Sequence, residues 1–226
     1  CMLAIAGGRI VTITGPVIEK GTVLIEGEKI SGVLEGVNVP PGAEVIDATG
    51  KVVMPGLIDA HCHVGIAEEI YREEGDDANE STDPVTPHLR VIDAINPADL
   101  AFGDALSGGV TTVLIGPGSA NIIGGEMAAL KTCGIVVDDM LVSFPAGLKA
   151  ALGENPKRSY GADKKMPATR MAAAALLREA FTKAQNYIKK GAEEKDLKME
   201  ALARVLRGDV PLRVHAHRAD DIMTAL

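Results

Sequence analysis

The chain has 226 residues, a formal net charge of −8 and a hydrophobic share of 46% with only 3% aromatics, so aliphatic side chains must build the core of one large or two smaller domains. The negative charge argues against a surface that binds nucleic acid or anionic membranes. Three scattered cysteines indicate a reducing compartment, and the N-terminus does not resemble a signal peptide, so we predict a cytoplasmic protein.

The first 56 residues have the pattern of short strands separated by glycine and proline. The predicted strands are Leu3–Ile5, Arg9–Ile13, Thr22–Glu26, Lys29–Leu34, Ala43–Asp47 and Lys51–Val53. Gly7-Gly8 and Glu26-Gly27-Glu28 are typical of hairpin turns. Residues 1–56 are therefore predicted to form a small β-sandwich-like domain.

From Leu57 onwards strands alternate with helices, which is typical of parallel βα units. The predicted buried strands are Leu57–His63, Val110–Ile115 and Leu212–Ala216. The predicted helices are Pro97–Leu106 with Asn96 as its cap, Thr169–Lys190, Glu193–Arg207 and a last one from Asp220. The acidic stretch from Glu68 to Asp83 is interpreted as a solvated flap. Residues 57–226 are predicted to form an incomplete (β/α) barrel of the α/β class.

Four of the five histidines form two pairs at predicted strand ends, His61 with His63 and His215 with His217. Residues two apart on a strand point to the same face, so each pair can direct two imidazoles toward one ion. Neutral imidazole is a good ligand of zinc and similar divalent metals. A single His-x-His is more often due to chance and core packing, but two pairs after buried strands favour a metal site.

The segment Val53-Met54-Pro55-Gly56-Leu57-Ile58-Asp59-Ala60-His61-Cys62-His63 resembles the signature of the amidohydrolase superfamily. Gly108-Gly109-Val110-Thr111-Thr112-Val113 is similar to the second barrel strand of that family, and Val214-His215-Ala216-His217 to a later, metal-binding strand. The imidazolonepropionase- and prolidase-type branch looks closest. The resemblance implies a β-sandwich followed by a TIM-like barrel, with His61 and His63 as metal ligands.

The resemblance also implies the chemistry, which is hydrolysis of a C–N bond in a cyclic amide or peptide-like substrate by a water that one or two divalent metals, such as Zn²⁺, activate. His215 would be a further metal ligand and His217 a catalytic group. Lys149, whose apolar neighbours should favour a neutral amine, would become a carbamate that bridges two metals. The alternatives are a surface lysine at a strand end, with Glu154 as the competing carboxylate ligand or as a solvated loop charge.

Substrate contacts are predicted at Ser119 and Asn121, in the glycine-rich loop from Gly116 to Glu126, and at Arg218, which can bind a carboxylate. The alternatives are a tight βα connection and exposed polar side chains. His88 is interpreted as a surface residue and Cys62 as a core residue. Asp59 either orients a ligand or packs inside the barrel.

A complete barrel of this kind needs roughly 250 residues. The later histidine and the catalytic Asp of the family have no counterpart here, so we expect the chain to be a fragment that is inactive alone. Its expected partners are a small-molecule substrate and either further copies of itself in a homo-oligomer or the missing C-terminal segment. Two other functions stay open: a sugar N-deacetylase or aminohydrolase, and a non-catalytic scaffold.

Overall fold

A computed structural model describes residues 2–70, 73–191 and 194–226. The chain divides into two compact units, of which the first ends at Gly56 and the second runs from Leu57 to Leu226. No helix in the described ranges is long and apolar enough to cross a membrane.

The first unit contains a small five-stranded sheet. Its strands are β1 (Met2–Ile10), β2 (Ile18–Glu26), β3 (Lys29–Glu35), β4 (Glu44–Asp47) and β5 (Val52–Val53). Strand β1 is central, since β2 pairs with it antiparallel while β4 and β5 both pair with it in parallel. Strand β3 completes the sheet as the antiparallel neighbour of β2.

Two glycine turns were predicted in this sheet, and only one is present. Gly27, at φ +61°, lies in the turn between β2 and β3 as predicted. The turn at Gly7-Gly8 was wrong, because β1 continues through both residues. Gly7, at φ +83°, is instead an extra residue in the pairing with β2, where Ala6 faces Thr22 and Gly8 faces Gly21. A bulge of this kind uses the backbone freedom that also suits glycine to turns.

The second unit is a partial TIM-like barrel, a curled sheet with the strand order β10-β9-β8-β7-β6. Its strands are β6 (Leu57–Cys62), β7 (Val110–Ile115), β8 (Ile123–Lys131), β9 (Leu141–Ala151) and β10 (Leu212–His215). The pairs β6–β7 and β9–β10 are parallel as expected, but β8 is antiparallel to both of its neighbours. The connection between Ile115 and Ile123 is too short for the helix that a parallel crossover needs.

Six α-helices and one 3₁₀ turn (Val91–Asp93) accompany this sheet in the described residues. The helices are α1 (Leu100–Ser107), α2 (Val137–Met140), α3 (Glu154–Ala162), α4 (Arg170–Lys190), α5 (Leu197–Arg207) and α6 (Ala219–Ala225). Helix α4 confirms its prediction, with the Thr169 side chain accepting from the N–H of Ala172.

Two helix starts differ from the predictions. Asp99, rather than Asn96, caps α1, because its carboxylate accepts from the N–H of Ala101 while Asn96 accepts from Ala98 one turn earlier. Helix α5 begins at Leu197 after its cap Asp196. The predicted start of that helix, Glu193, lies outside the described residues.

The position of each strand in the sheet explains its burial. Strands β8 and β9 are central, and Met127, Leu130 and Leu148 on them are fully buried. Strand β6, predicted to be buried, is instead at one edge of the sheet, where Leu57 is 50% and Ile58 70% exposed. An edge strand has a neighbour on one side only, so an apolar sequence does not ensure burial.

Candidate active site

The predicted metal ligands come from three strands that the curled sheet brings together. His61 is near the end of β6, Lys149 is near the end of β9, and His215 ends β10. His61 Nε2 is 3.2 Å from Lys149 Nζ, although 88 residues separate them. A cavity of about 460 Å³ lies here, and it is lined by His61, Lys149, Arg213, Val214, His215 and Ala216. The two edge strands and a central strand thus contribute to one cavity.

In the first histidine pair, His63 is held so that one of its ring nitrogens remains available as a ligand. His63 Nδ1 is 2.7 Å from the carbonyl oxygen of Gly116. Because a carbonyl can only accept, Nδ1 must carry the proton and Nε2 of His63 keeps its lone pair. The rings of His61 and His63 are nearly perpendicular, with centroids 5.3 Å apart. An unprotonated Nε2 is the form that binds a divalent metal.

Lys149 is the buried cation of the site, with 1% of its surface exposed. Its Nζ donates to the carbonyl oxygen of Pro117 at 3.0 Å, and no carboxylate in the described residues forms an ion pair with it. Burial lowers the pKa of Lys149 to about 8. Lys149 therefore loses its proton at a lower pH than an exposed lysine does, which makes the neutral amine easier to form.

Burial lowers the pKa values of two histidines of the site, His61 and His215. Burial, followed by the positive charge of Lys149, lowers the pKa of His61. Burial, followed by the neighbouring His217, lowers the pKa of His215, and Lys149 and His63 contribute in the same direction. Each effect favours the neutral imidazole, which is the ligand form.

The second histidine pair is held by side chains from the first turn of α3. Asn155 Nδ2 donates to His215 Nε2 at 3.1 Å, and His217 Nδ1 donates to Glu154 Oε1 at 2.6 Å. The two rings contact edge to face, with centroids 4.4 Å apart. Glu154, the competing metal ligand of the sequence analysis, is thus directed at His217 and, at 3.3 Å, at Arg170.

Comparison with known proteins identifies the family, although no family model matches the chain. Amidohydrolase tasK of Hapsidospora irregularis is 32% identical over 233 residues, which cover 89% of this chain and 24% of that protein. A crystal structure of an amidohydrolase from Thermotoga maritima MSB8 superposes with a TM-score of 0.94 at 46% identity, over 99% of this chain and 60% of that one. The chain belongs to the amidohydrolase superfamily.

A third relative widens the range of activities within this superfamily. The 5-methylthioadenosine/S-adenosylhomocysteine deaminase of Symbiobacterium thermophilum is 34% identical over 122 residues, half of this chain and 28% of that protein. This amidohydrolase chain spans about a quarter of the length of the two curated relatives and 60% of the Thermotoga structure. The comparisons do not specify a branch, so the imidazolonepropionase- or prolidase-type assignment stays a prediction.

The predicted substrate contacts of this amidohydrolase do not line the cavity at His61 and His215. Asn121 is 2% exposed, and its Nδ2 donates to the carbonyl oxygens of Glu80 and Asp83. Tyr160 Oη lies 2.8 and 3.0 Å from the same two oxygens. The acidic segment was predicted to be a solvated flap. It is instead anchored at Glu80 and Asp83 by the buried side chains of Asn121 and Tyr160.

Ser119 and Arg218 have different surroundings. Ser119 is partly buried in the loop between β7 and β8, beside Ala120, whose N–H donates to Asn79. Arg218 is exposed and forms a two-point ion pair with Asp220. His88, interpreted as a surface residue, is only partly exposed. Its Nδ1 is buried without a hydrogen-bond partner in the described part of the chain.

Arg213 was not predicted as a site residue, yet it lines the cavity two residues before His215. Its Nε is buried and has no hydrogen-bond partner within the described ranges. Gly147 makes room for it, because a Cβ there would lie 3.1 Å from the Arg213 side chain. The period of two along β10 was a usable signal, since it places Arg213 on the same face as His215.

The donor set tests whether the site suits the metal that the family implies. The described residues contain no group of three His, Cys, Asp or Glu side chains that could hold an ion by themselves. Lys149 Nζ lies 3.2 Å from His61 Nε2, so a donor group formed on Lys149 would be close to that imidazole. Two imidazoles with lowered pKa values on one cavity and a buried lysine whose pKa is lowered to about 8 are consistent with a divalent metal, provided that Lys149 contributes a donor.

Proposed function

We propose that this amidohydrolase is a metal-dependent hydrolase of C–N bonds in cyclic amides or peptide-like substrates. The observation that carries the proposal is the 3.2 Å contact between His61 and Lys149 in a cavity that His215 also lines. Imidazoles that are kept neutral, next to a buried lysine with a lowered pKa, are an unusual combination outside a functional site.

We assign the metal to His61, His63, His215 and Lys149. Zinc, or another divalent ion, would supply a water that is nucleophilic at neutral pH. The neutral amine of Lys149 can add to carbon dioxide, forming an N–C bond and releasing one proton to solvent, and the resulting carbamate offers two oxygen donors. The lowered pKa of Lys149 favours this reaction because only the unprotonated amine has a lone pair.

We assign His217 to proton transfer, since its Nδ1 donates to Glu154 and its Nε2 keeps a lone pair. Arg218 would bind a substrate carboxylate in exchange for Asp220, its present partner. Ser119 would contact a polar group of the substrate from the loop after β7. Asn121 would act indirectly by holding the acidic segment, because its amide nitrogen already has internal acceptors.

Metal stoichiometry and substrate turnover together test the proposal. We expect one or two zinc ions per purified chain, lost in the double variant H61N/H63N and retained in H88N, which changes a histidine outside the cavity. Hydrolysis would then be measured with hydantoins, imidazolones and dipeptides, on this chain and on versions extended beyond Leu226. A wild-type chain without stoichiometric metal would favour a non-catalytic scaffold instead.

A second candidate, an aminohydrolase, is favoured by the 34% identity to a protein named as a deaminase. The same neutral imidazoles and buried lysine would serve it. Release of ammonia from aminopurines, without turnover of the cyclic amides, would select this candidate. Turnover of N-acetylated sugars alone would select a deacetylase.

A further inference from the structure

Four side chains from three segments form a continuous line of contacts that begins at His217, in the second histidine pair. His217 Nδ1 donates to Glu154 Oε1 at 2.6 Å, and Arg170 Nη2 donates to Glu154 Oε2 at 3.3 Å. Arg170 Nε also donates to Asp221 Oδ1 at 2.8 Å. Arg170 is the first residue of α4, and Asp221 is in the first turn of α6. The line thus connects two helices outside the cavity to one ring beside it.

The end of this line at Asp221 is fixed much more firmly than the end at His217. Asp221 is 4% exposed and receives two hydrogen bonds from the Arg170 guanidinium, whereas the side chains of Glu154 and His217 are nearly half exposed. Gly153 adjoins the same carboxylate, since a Cβ there would lie 2.6 Å from Asp221 Oδ2. A two-point arginine–carboxylate contact fixes direction as well as distance, so Arg170 is oriented before it reaches Glu154.

The partner of His217 determines which of its nitrogens carries the proton. A carboxylate can only accept, so the contact with Glu154 requires a proton on Nδ1 of His217. Nε2 then has the lone pair, and it can accept a proton or a hydrogen bond. Without Glu154 in place, both tautomers become available, and only one of them presents an acceptor at Nε2.

We propose that Arg170 and Asp221 are positioning residues that hold Glu154 against His217 and thereby select the tautomer with an unprotonated Nε2. The inference rests on the proposed function for its purpose, because an acceptor at Nε2 is what proton transfer by His217 needs. Its geometry depends only on the four side chains. Neither Arg170 nor Asp221 lines the cavity, so each would act through Glu154.

Long-range ¹H–¹⁵N NMR of the histidine rings reads the tautomer directly. The measurement uses the full metal-free chain at a pH well above the usual histidine range, where the rings are neutral. We expect the wild type to show His217 with its proton on Nδ1. R170Q should lower the ratio of Nδ1–H to Nε2–H about three-fold, as expected for loss of a partly exposed charge contact. R178Q, at an exposed arginine about two turns further along α4, should leave the ratio unchanged.

Variants at Glu154 separate positioning from a general effect on folding. E154Q replaces the carboxylate by an amide that can either accept or donate and should therefore reduce the preference for Nδ1–H, whereas E154L should abolish it. A purely structural role would lower the unfolding temperature of R170Q while its folded form keeps the wild-type ratio, and that result overturns the proposal. If R170Q does not fold, D221N provides the same test, because it weakens the contact between Asp221 and the Arg170 guanidinium.

The experiment separates this inference from the proposed function because it requires neither metal nor substrate. A ratio that falls in R170Q and D221N supports the positioning role even if zinc binding fails. A wild-type His217 with its proton on Nε2 overturns the positioning role even if the chain binds zinc and hydrolyses amides.

Discussion

The two histidine pairs have the same His-x-His spacing, yet different groups hold them. A main-chain carbonyl, that of Gly116, holds His63, and the buried amine of Lys149 contacts His61. Two side chains from one helix turn, Asn155 and Glu154, hold the second pair. In the first pair His63 keeps an uncommitted Nε2, whereas His215 Nε2 already accepts a hydrogen bond. The spacing places two rings side by side, but the second partner of each ring decides which nitrogen can act.

The largest expected effect is a difference in zinc affinity between a variant of a proposed metal ligand and a variant of a proposed proton-transfer group. H61N should weaken zinc binding at least about 100-fold, because it removes a metal donor and not merely a group that supports one. H217N should change zinc affinity less than about three-fold, since His217 donates to Glu154 and is assigned to proton transfer rather than to the metal. Competition with a chromogenic chelator measures both affinities. Equal losses in the two variants would show that the two pairs do not differ in role.

The next effect concerns Lys149, the buried cation beside the first pair. K149M should raise the free energy of unfolding at pH 7 by about 2 kcal/mol, because the lowered pKa reflects an energetic cost of charging the buried amine, partly offset by the lost hydrogen bond to Pro117. K131M, at an exposed lysine that contacts Thr112, should change stability by less than about 0.5 kcal/mol. Urea unfolding of metal-free protein in carbonate-free buffer gives both values.

The difference in the free energy of unfolding between K149M and the wild type should shrink as the pH rises. Below a pH of about 8 the folded state must carry the buried charge, so the cost is fully present. As pH rises from about 8 toward the unfolded value near 10.5, the folded state loses its proton first and the wild type gains stability relative to K149M. A difference between the two proteins that stays constant from pH 7 to pH 10 would contradict the burial of this cation.

The smallest expected effect concerns Asn155 and has an unusual direction. Its amide donates to His215 Nε2, and a metal bound at that nitrogen would have to displace it. N155A should therefore raise zinc affinity about three-fold, the equivalent of one modest hydrogen bond. N38A, which removes an exposed asparagine in the first unit, should have no effect. Isothermal titration calorimetry measures the change, and weaker binding in N155A would show that Asn155 supports His215 as a ligand.

Much of the fold was predictable from local patterns. The apolar strands after Gly56, the long helix after Thr169 and the two histidine pairs follow from periodicity and spacing. Three features were not. The antiparallel direction of β8 depends on the length of one connection, the cap of α1 on a competition between Asn96 and Asp99, and the bulge at Gly7 on the pairing of β1 with β2. The bulge depends on a partner strand outside the local sequence, whereas the other two features depend on local alternatives that the periodic pattern does not resolve.

The sequence by itself determined that four imidazoles lie in two pairs at the ends of β6 and β10, because residues two apart at the end of a strand are close in space. It also determined that Lys149 has apolar neighbours along β9. The tertiary structure decided the rest. The curl of the sheet brought β6, β9 and β10 to one cavity, so that Lys149 reaches His61 and loses its water. It also decided the contacts of Glu154, which the sequence left open as a metal ligand. The Glu154 carboxylate accepts from His217 Nδ1 and from the Arg170 guanidinium, because both donors lie within hydrogen-bond distance.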